Sequence, residues 1–170
     1  MINDNRPFFA IDASTNSLAF SYFVENKLKK YGKIIYQGSN IYEKISDISH
    51  KTKAFFDNFD GVKHMIIEQP VFLNSPKTAA NLAMSHGAIV CSASLAGFER
   101  FASVTPMAWQ NFINNGRLTK EEKEYIRGLS SGKSESWYKS QERLVRKQKT
   151  INFVKNKFGL NIDDDDRSEE

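Results

Sequence analysis

Two carboxylates in this 170-residue chain each close an apolar run: Asp12 in FFAIDAST and Glu68 in HMIIEQPVF. An acid at the end of a buried strand is unfavourable unless it is paired or holds a cation. A strand end is also a rigid mount for a metal ligand. Two such acids on neighbouring strands would converge on one point, and a third from a helix would complete an oxygen-rich site. Asp166-Arg167-Ser168-Glu169 has the form of a helix-start capping box, and its i,i+3 spacing would put both acids on one helical face. Asp163 with Asp166 has the same spacing. Oxygen ligands without His or Cys suit Mg²⁺, with Mn²⁺ as a substitute. Each acid has a plainer reading beside this one. Asp12 would shape a turn before Ser14 and Thr15, Glu68 would cap the Gln69-Pro70 turn, and the terminal acids would form a solvated tail.

The remaining candidate ligands are sparse. His50, His64 and His86 lie far apart and read as ordinary surface or core histidines. The single Cys91, among small apolar residues, reads as an inert buried thiol and rules out an internal disulfide or a Cys-rich zinc site. Charge is unevenly spread. Residues 117–149 hold ten Lys/Arg against five Glu, a local +5 in a chain whose net is +4, whereas 163–170 hold six acids and one Arg. That suggests a polyanion-binding surface beside a cation site; the plainer reading is a solvated helix face and an acidic tail.

The elements that must position these residues follow from the apolar pattern. With 40% hydrophobic and 26% charged residues, the chain suits one globular domain with an ordinary core. It contains no run of about 18 apolar residues that would span a membrane. The segment MINDNRPFF lacks the apolar stretch of a secretory signal, so the expected compartment is the reducing cytoplasm. Phe8–Val24 reads as a hairpin turning at Ser14–Ser17, Lys29–Gln37 as a third strand, and Ile41–Phe59 as a helix. His64–Glu68 is a short strand ended by Gln69-Pro70. Ser75–Leu95 is a helix rich in small residues, and Phe101–Thr105 a strand followed by a helix opening at Pro106. Further helices are expected at Glu121–Arg127 and Glu142–Phe158, with a flexible loop over SSGKSES between them. Strands and helices in this order imply a mixed α/β sheet.

Taken in order, IDASTNSLAFSYF, IIEQPVFLNSPKTAANLAMSHGAIVCSAS and VTPMAWQNFINNG resemble the RuvC-like Holliday junction resolvases of the RNase H-like nuclease superfamily. The resemblance covers roughly residues 8–116 and extends loosely over the rest. It implies an RNase H-like mixed five-stranded sheet flanked by helices, as a single nuclease domain over 1–170 with a basic DNA-binding helical segment at 117–149. Asp12 and Glu68 match the family's first two metal-binding carboxylates, and Asp166 and Glu169 match the spacing of its last two. The resemblance implies two-metal phosphodiester hydrolysis at these four. The family pattern continues into a small-residue apolar helix where this sequence ends at Glu170. Phe72 resembles the family's aromatic near the junction crossover, but Pro70 shifts the count by one, so Val71 competes for that place, and the plainer reading of Phe72 is a core residue.

On this reading the chain is a Mg²⁺-dependent endonuclease that resolves four-way DNA junctions by symmetric cuts, in a bacterial or phage-infected cytoplasm. Two cuts need two sites, so a homodimer is expected, with the small-residue helix at Ala79–Ala96 as its interface. Lys120, Lys123, Arg127, Lys133, Lys139, Arg143, Arg146 and Lys147 would contact phosphates, with Trp137 and Tyr138 stacking on unpaired bases. A catalytically inert binder of branched DNA and a broader flap nuclease remain as alternatives. An actin- or hexokinase-like ATPase also opens with an apolar strand and Asp, but nine glycines in 170 residues leave no room for its second nucleotide-binding half.

Overall fold

A computed structural model of the protein describes residues 5–70, 75–129 and 132–160. The described residues group into two compact units, which divide between residues 106 and 107. Among the described residues, no helix is long and apolar enough to cross a membrane.

The first unit is a five-stranded sheet in the order β3-β2-β1-β4-β5. β1 (Phe8–Ala13), β2 (Ser17–Val24) and β3 (Lys27–Ile35) form an antiparallel meander. Its first turn is closed by Ser14, whose N–H donates to the Ser17 carbonyl at 2.8 Å. The Ser14 hydroxyl accepts from the N–H groups of Asn16 at 3.2 Å and Ser17 at 3.0 Å. The second turn uses Glu25 and Asn26 with φ of 51° and 60°, the two positive φ values of a tight hairpin whose twist matches its strands. That turn starts β3 at Lys27 rather than the expected Lys29.

α1 (Ile41–Phe56) is capped by Asn40, whose side chain accepts from the N–H groups of Tyr42 and Glu43, both at 3.0 Å. β4 (His64–Glu68) then runs parallel to β1. α2 (Pro76–Leu95) leads to β5 (Arg100–Val104), parallel to β4. These crossovers make the mixed sheet that the apolar pattern implied.

α1 and α2 cover one face of the sheet and touch each other, with Ser92 Oγ donating to the Ser49 carbonyl at 3.2 Å. The core between them centres on Phe9, which is fully buried. Its ring centroid lies 4.9 Å from Phe59, 5.0 Å from Tyr22, 5.6 Å from Phe56 and 5.7 Å from Phe55. The alternation in β1 puts Phe9, Ile11 and Ala13 into this core and Phe8, Ala10 and Asp12 on the other face. Cys91 departs from expectation: it is exposed on α2, because the face that α2 buries is carried by Ser85, Ile89, Ser92 and Ala93.

In the second unit, α3 (Pro106–Phe112) is followed by α4 (Lys120–Leu129) and α5 (Glu135–Phe158). Thr119 and Glu122 form a reciprocal capping box. The Thr119 N–H donates to Glu122 Oε2 at 2.9 Å, and the Glu122 N–H donates to Thr119 Oγ1 at 3.3 Å. α5 begins seven residues before the expected Glu142. Ser134 caps it by accepting from the Trp137 N–H, and Glu135 favours the positive end of the helix dipole. Trp137, Tyr138 and Lys139 are therefore helical. Asn115, buried before α4, ties its loop to α5 by donating to the Arg146 carbonyl at 2.7 Å and Thr150 Oγ1 at 2.8 Å.

Candidate metal centre and nucleic-acid interface

The parallel register of β1 and β4 matches Ile11 with Ile67, so the next residue on each strand, Asp12 and Glu68, occupies an equivalent position. Ile11 and Ile67 both enter the core, which sends Asp12 and Glu68 together to the opposite face. Adjacent strands lie about 4.8 Å apart, so the two acids are neighbours across the sheet. Asp12 is exposed and Glu68 half-buried. The Ser14 hydroxyl closes the hairpin turn, the task that the plainer reading gave to the Asp12 carboxylate. Beyond Glu68 the ladder continues by one bond, from the Gln69 N–H to the Val104 carbonyl at 2.8 Å. The Gln69 amide also donates to Ser103 Oγ at 2.8 Å, steadying the strand end.

His86 of α2 approaches the tip of β1. His86, half-buried, hydrogen-bonds to the backbone of Ala13 and feels the Asp12 charge. Burial lowers its pKa from the ordinary histidine value, and the Ala13 bond and Asp12 partly offset that shift. In the sequence His86 looks like an ordinary surface or core histidine. No local motif marks it, because its approach to the tip of β1 depends on how α2 lies across the sheet.

Mg²⁺ is commonly held by one or two carboxylates together with substrate phosphates. The Asp12–Glu68 pair meets that requirement with oxygen donors of the right hardness. Among the described residues, no cluster of three or more metal-ligating side chains occurs. Asp166 and Glu169, the other two expected ligands, lie outside the described residues, as do Asp163 and Phe72.

The second unit gathers part of the expected basic set. Arg117, Lys123 of α4, and Lys139, Arg143 and Arg146 of α5 line a cavity of about 210 Å³, with Glu142 as its one acid. Arg143 and Arg146 also line a neighbouring cavity with Lys147 and Trp109. Three of the expected contacts lie outside both linings. Lys120 approaches Glu124 at 3.8 Å, Arg127 sits 6.0 Å from the centre of the Tyr138 ring, and Lys133 is exposed just before α5. Lys149 is bound to Glu122 at 2.5 Å and so braces α5 against α4.

No protein-family model and no curated protein sequence matches the chain. Solved structures do. Thermus thermophilus RuvC in complex with a Holliday junction substrate is similar with a TM-score of 0.55 at 13% identity, over 87% of this chain and 96% of that one. A second Thermus thermophilus RuvC structure gives 0.54 at 16% identity, over 86% and 96%. The yeast mitochondrial Holliday junction resolvase Ydc2 gives 0.47 at 11%, over 96% and 72%. The two RuvC structures establish the fold: a mixed five-stranded sheet flanked by helices, of the RuvC and RNase H-like type.

Proposed function

We propose that the chain is a metal-dependent, structure-selective endonuclease that cuts four-way DNA junctions. The observation that carries this reading is the equivalent register of Asp12 and Glu68 on adjacent parallel strands, facing away from the core, within a RuvC-type fold. Asp12 and Glu68 would hold Mg²⁺ or Mn²⁺, with Asp166 and Glu169 as further ligands. A cation bound there supplies charge stabilisation for hydrolysis of a phosphodiester. The chain's own residues do the positioning. His86 holds the tip of β1 through Ala13, next to Asp12. Ala19, paired with Asp12 on β2, is small and exposed, leaving room for a nucleic-acid strand over the carboxylates. Arg117, Lys123, Lys139, Arg143 and Arg146 neutralise phosphates without reading sequence.

Symmetric cutting calls for a homodimer. α2 exposes Ala80, Ala83, Met84, Gly87, Cys91 and Leu95 along one stripe, a surface on which a second copy can approach closely. The reading places the protein in DNA recombination, in the cytoplasm of a bacterial or phage-infected cell.

The test is cleavage of a labelled four-way junction, a 5′ flap and a linear duplex with Mg²⁺ or Mn²⁺. Paired symmetric nicks confined to the junction are expected. Cuts on the flap as well would replace the reading with a broader branched-DNA nuclease. Tight binding without cleavage would make the chain an inert junction binder, and no binding at moderate salt would remove nucleic acid altogether.

A further inference from the structure

The basic residues of the second unit are not the only ones suited to a polyanion. β3 carries Lys27, Lys29, Lys30 and Lys33 on one edge strand of the sheet. Register sorts them. Asp12 pairs with Ala19, and Ala19 pairs with Lys33, so Lys33, Ala19, Asp12 and Glu68 form one row across four strands. In the next row on the same face, Tyr31 pairs with Ser21, Ser21 with Ala10, and Ala10 with Ile66.

Gly32, between Lys33 and Tyr31, is turned toward the core, where an added Cβ would lie 3.1 Å from the Phe20 ring. Its two neighbours therefore face away from the core, on the carboxylate side. Lys33 is exposed and Tyr31 is 50% exposed. Lys30 lies on the other face, 5.6 Å from the centre of the Phe59 ring. Lys29 is the extra residue at the register shift opposite Tyr22 and Phe23.

We infer that β3 is the outer wall of a substrate track. The nucleic-acid strand held at Asp12 and Glu68 crosses the small residues Ala19 and Ser21 to the sheet edge. There Lys33 takes a backbone phosphate and Tyr31 packs against the neighbouring sugar or base. This rests on the nuclease reading and adds to it the direction in which the strand leaves the carboxylates. Two strand spacings separate Lys33 from Asp12 at the Cα level, about 10 Å, so Lys33 meets a phosphate flanking the one at the carboxylates. The floor between them is small and uncharged, which leaves the strand free to lie flat.

The experiment measures junction binding by fluorescence anisotropy in EDTA, from 50 to 200 mM salt, for the full chain and three variants. Lys33→Gln should reduce the slope of log K against log salt by about 0.7–0.9, the loss of one phosphate contact. Over that range its affinity then falls about threefold less than that of the unaltered chain. Tyr31→Thr keeps a strand-forming residue; it should weaken binding about tenfold at every salt concentration and leave the slope alone. Lys30→Gln removes the same charge from the opposite face and should leave the slope unchanged.

An unchanged slope in Lys33→Gln, or an equal drop in Lys30→Gln, overturns the track. The β3 lysines would then only guard a sheet edge against strand pairing. Unchanged affinity in Tyr31→Thr overturns the packing contact. Cleavage by the unaltered chain separates the two levels. If it cuts junctions while Lys33→Gln behaves like it, the track alone fails. If it neither binds nor cuts, the nuclease reading falls and takes the track with it.

Discussion

Asp12→Asn preserves the shape of the side chain and removes one of two like charges that sit side by side. The strand spacing sets the backbones of Asp12 and Glu68 about 5 Å apart, and for two exposed-side charges at that separation a water-like dielectric gives a repulsion of about 0.8 kcal/mol. Without divalent cation the variant should therefore be the more stable protein, its Tm higher by about 1–3 °C for a chain of this size. Mg²⁺ should reverse the order. At about ten times its dissociation constant it stabilises the unaltered chain by about 1.4 kcal/mol, and the variant, lacking one of the two carboxylates, gains much less. On the proposed mechanism junction cleavage should fall on the order of 10³-fold, since Asp12 would hold the cation that stabilises the transition state. Scanning calorimetry with and without Mg²⁺, paired with single-turnover cleavage, reads all three effects. A variant that cleaves at more than a tenth of the original rate would refute the role given to Asp12. Equal Mg²⁺ stabilisation of both proteins would show that the cation binds elsewhere.

Other perturbations test the frame around the site. Phe9→Ala removes the ring at the centre of the aromatic cluster and should cost about 3–5 kcal/mol, read as a lower urea midpoint with an unchanged m-value. His86 favours its neutral form in the fold, so its contribution is complete above the ordinary value of 6.5 and is lost as pH falls through its lowered folded value. The urea midpoint should accordingly decline between pH 7.5 and pH 5.5, and decline less in His86→Gln. A second copy packed on the α2 stripe would bring the two Cys91 thiols close together, so mild oxidation should give a covalent dimer. A Cβ at Gly87 meets nothing within 4 Å, so Gly87→Leu should preserve the fold and, on the proposed α2 dimer, shift sedimentation toward monomer; a dimer unaffected by Gly87→Leu would exclude this helix as its interface.

Much of the architecture was legible locally. The alternation FFAIDA can bury Phe9, Ile11 and Ala13 only by turning Asp12 outward, and HMIIE ahead of Gln69-Pro70 reads as a strand with Glu68 at its end. At two places a local signal points the wrong way. The polar stretch SSGKSES suggests a loop, yet the Ser134 cap and Glu135 start α5 inside it because a long helix tolerates polar residues on its solvated face. Cys91 sits among alanines that suggested burial. A helix buries one stripe only, and Ile89 and Ala93 take it.

Strand order, by contrast, has no local signal. The sequence by itself determined which residues form strands, that Glu68 ends one and that Asp12 stands near the end of another, because side-chain alternation and turn chemistry act over a few residues. Tertiary structure decided that β1 and β4 are neighbours in a register that sets Asp12 beside Glu68, that His86 reaches Ala13, and that Lys33 shares their row while Lys30 faces the opposite way. Those relations join residues as many as 73 positions apart, from Ala13 to His86. They are settled by burying the Phe9 core under α1 and α2, a requirement that no short stretch of the chain expresses alone.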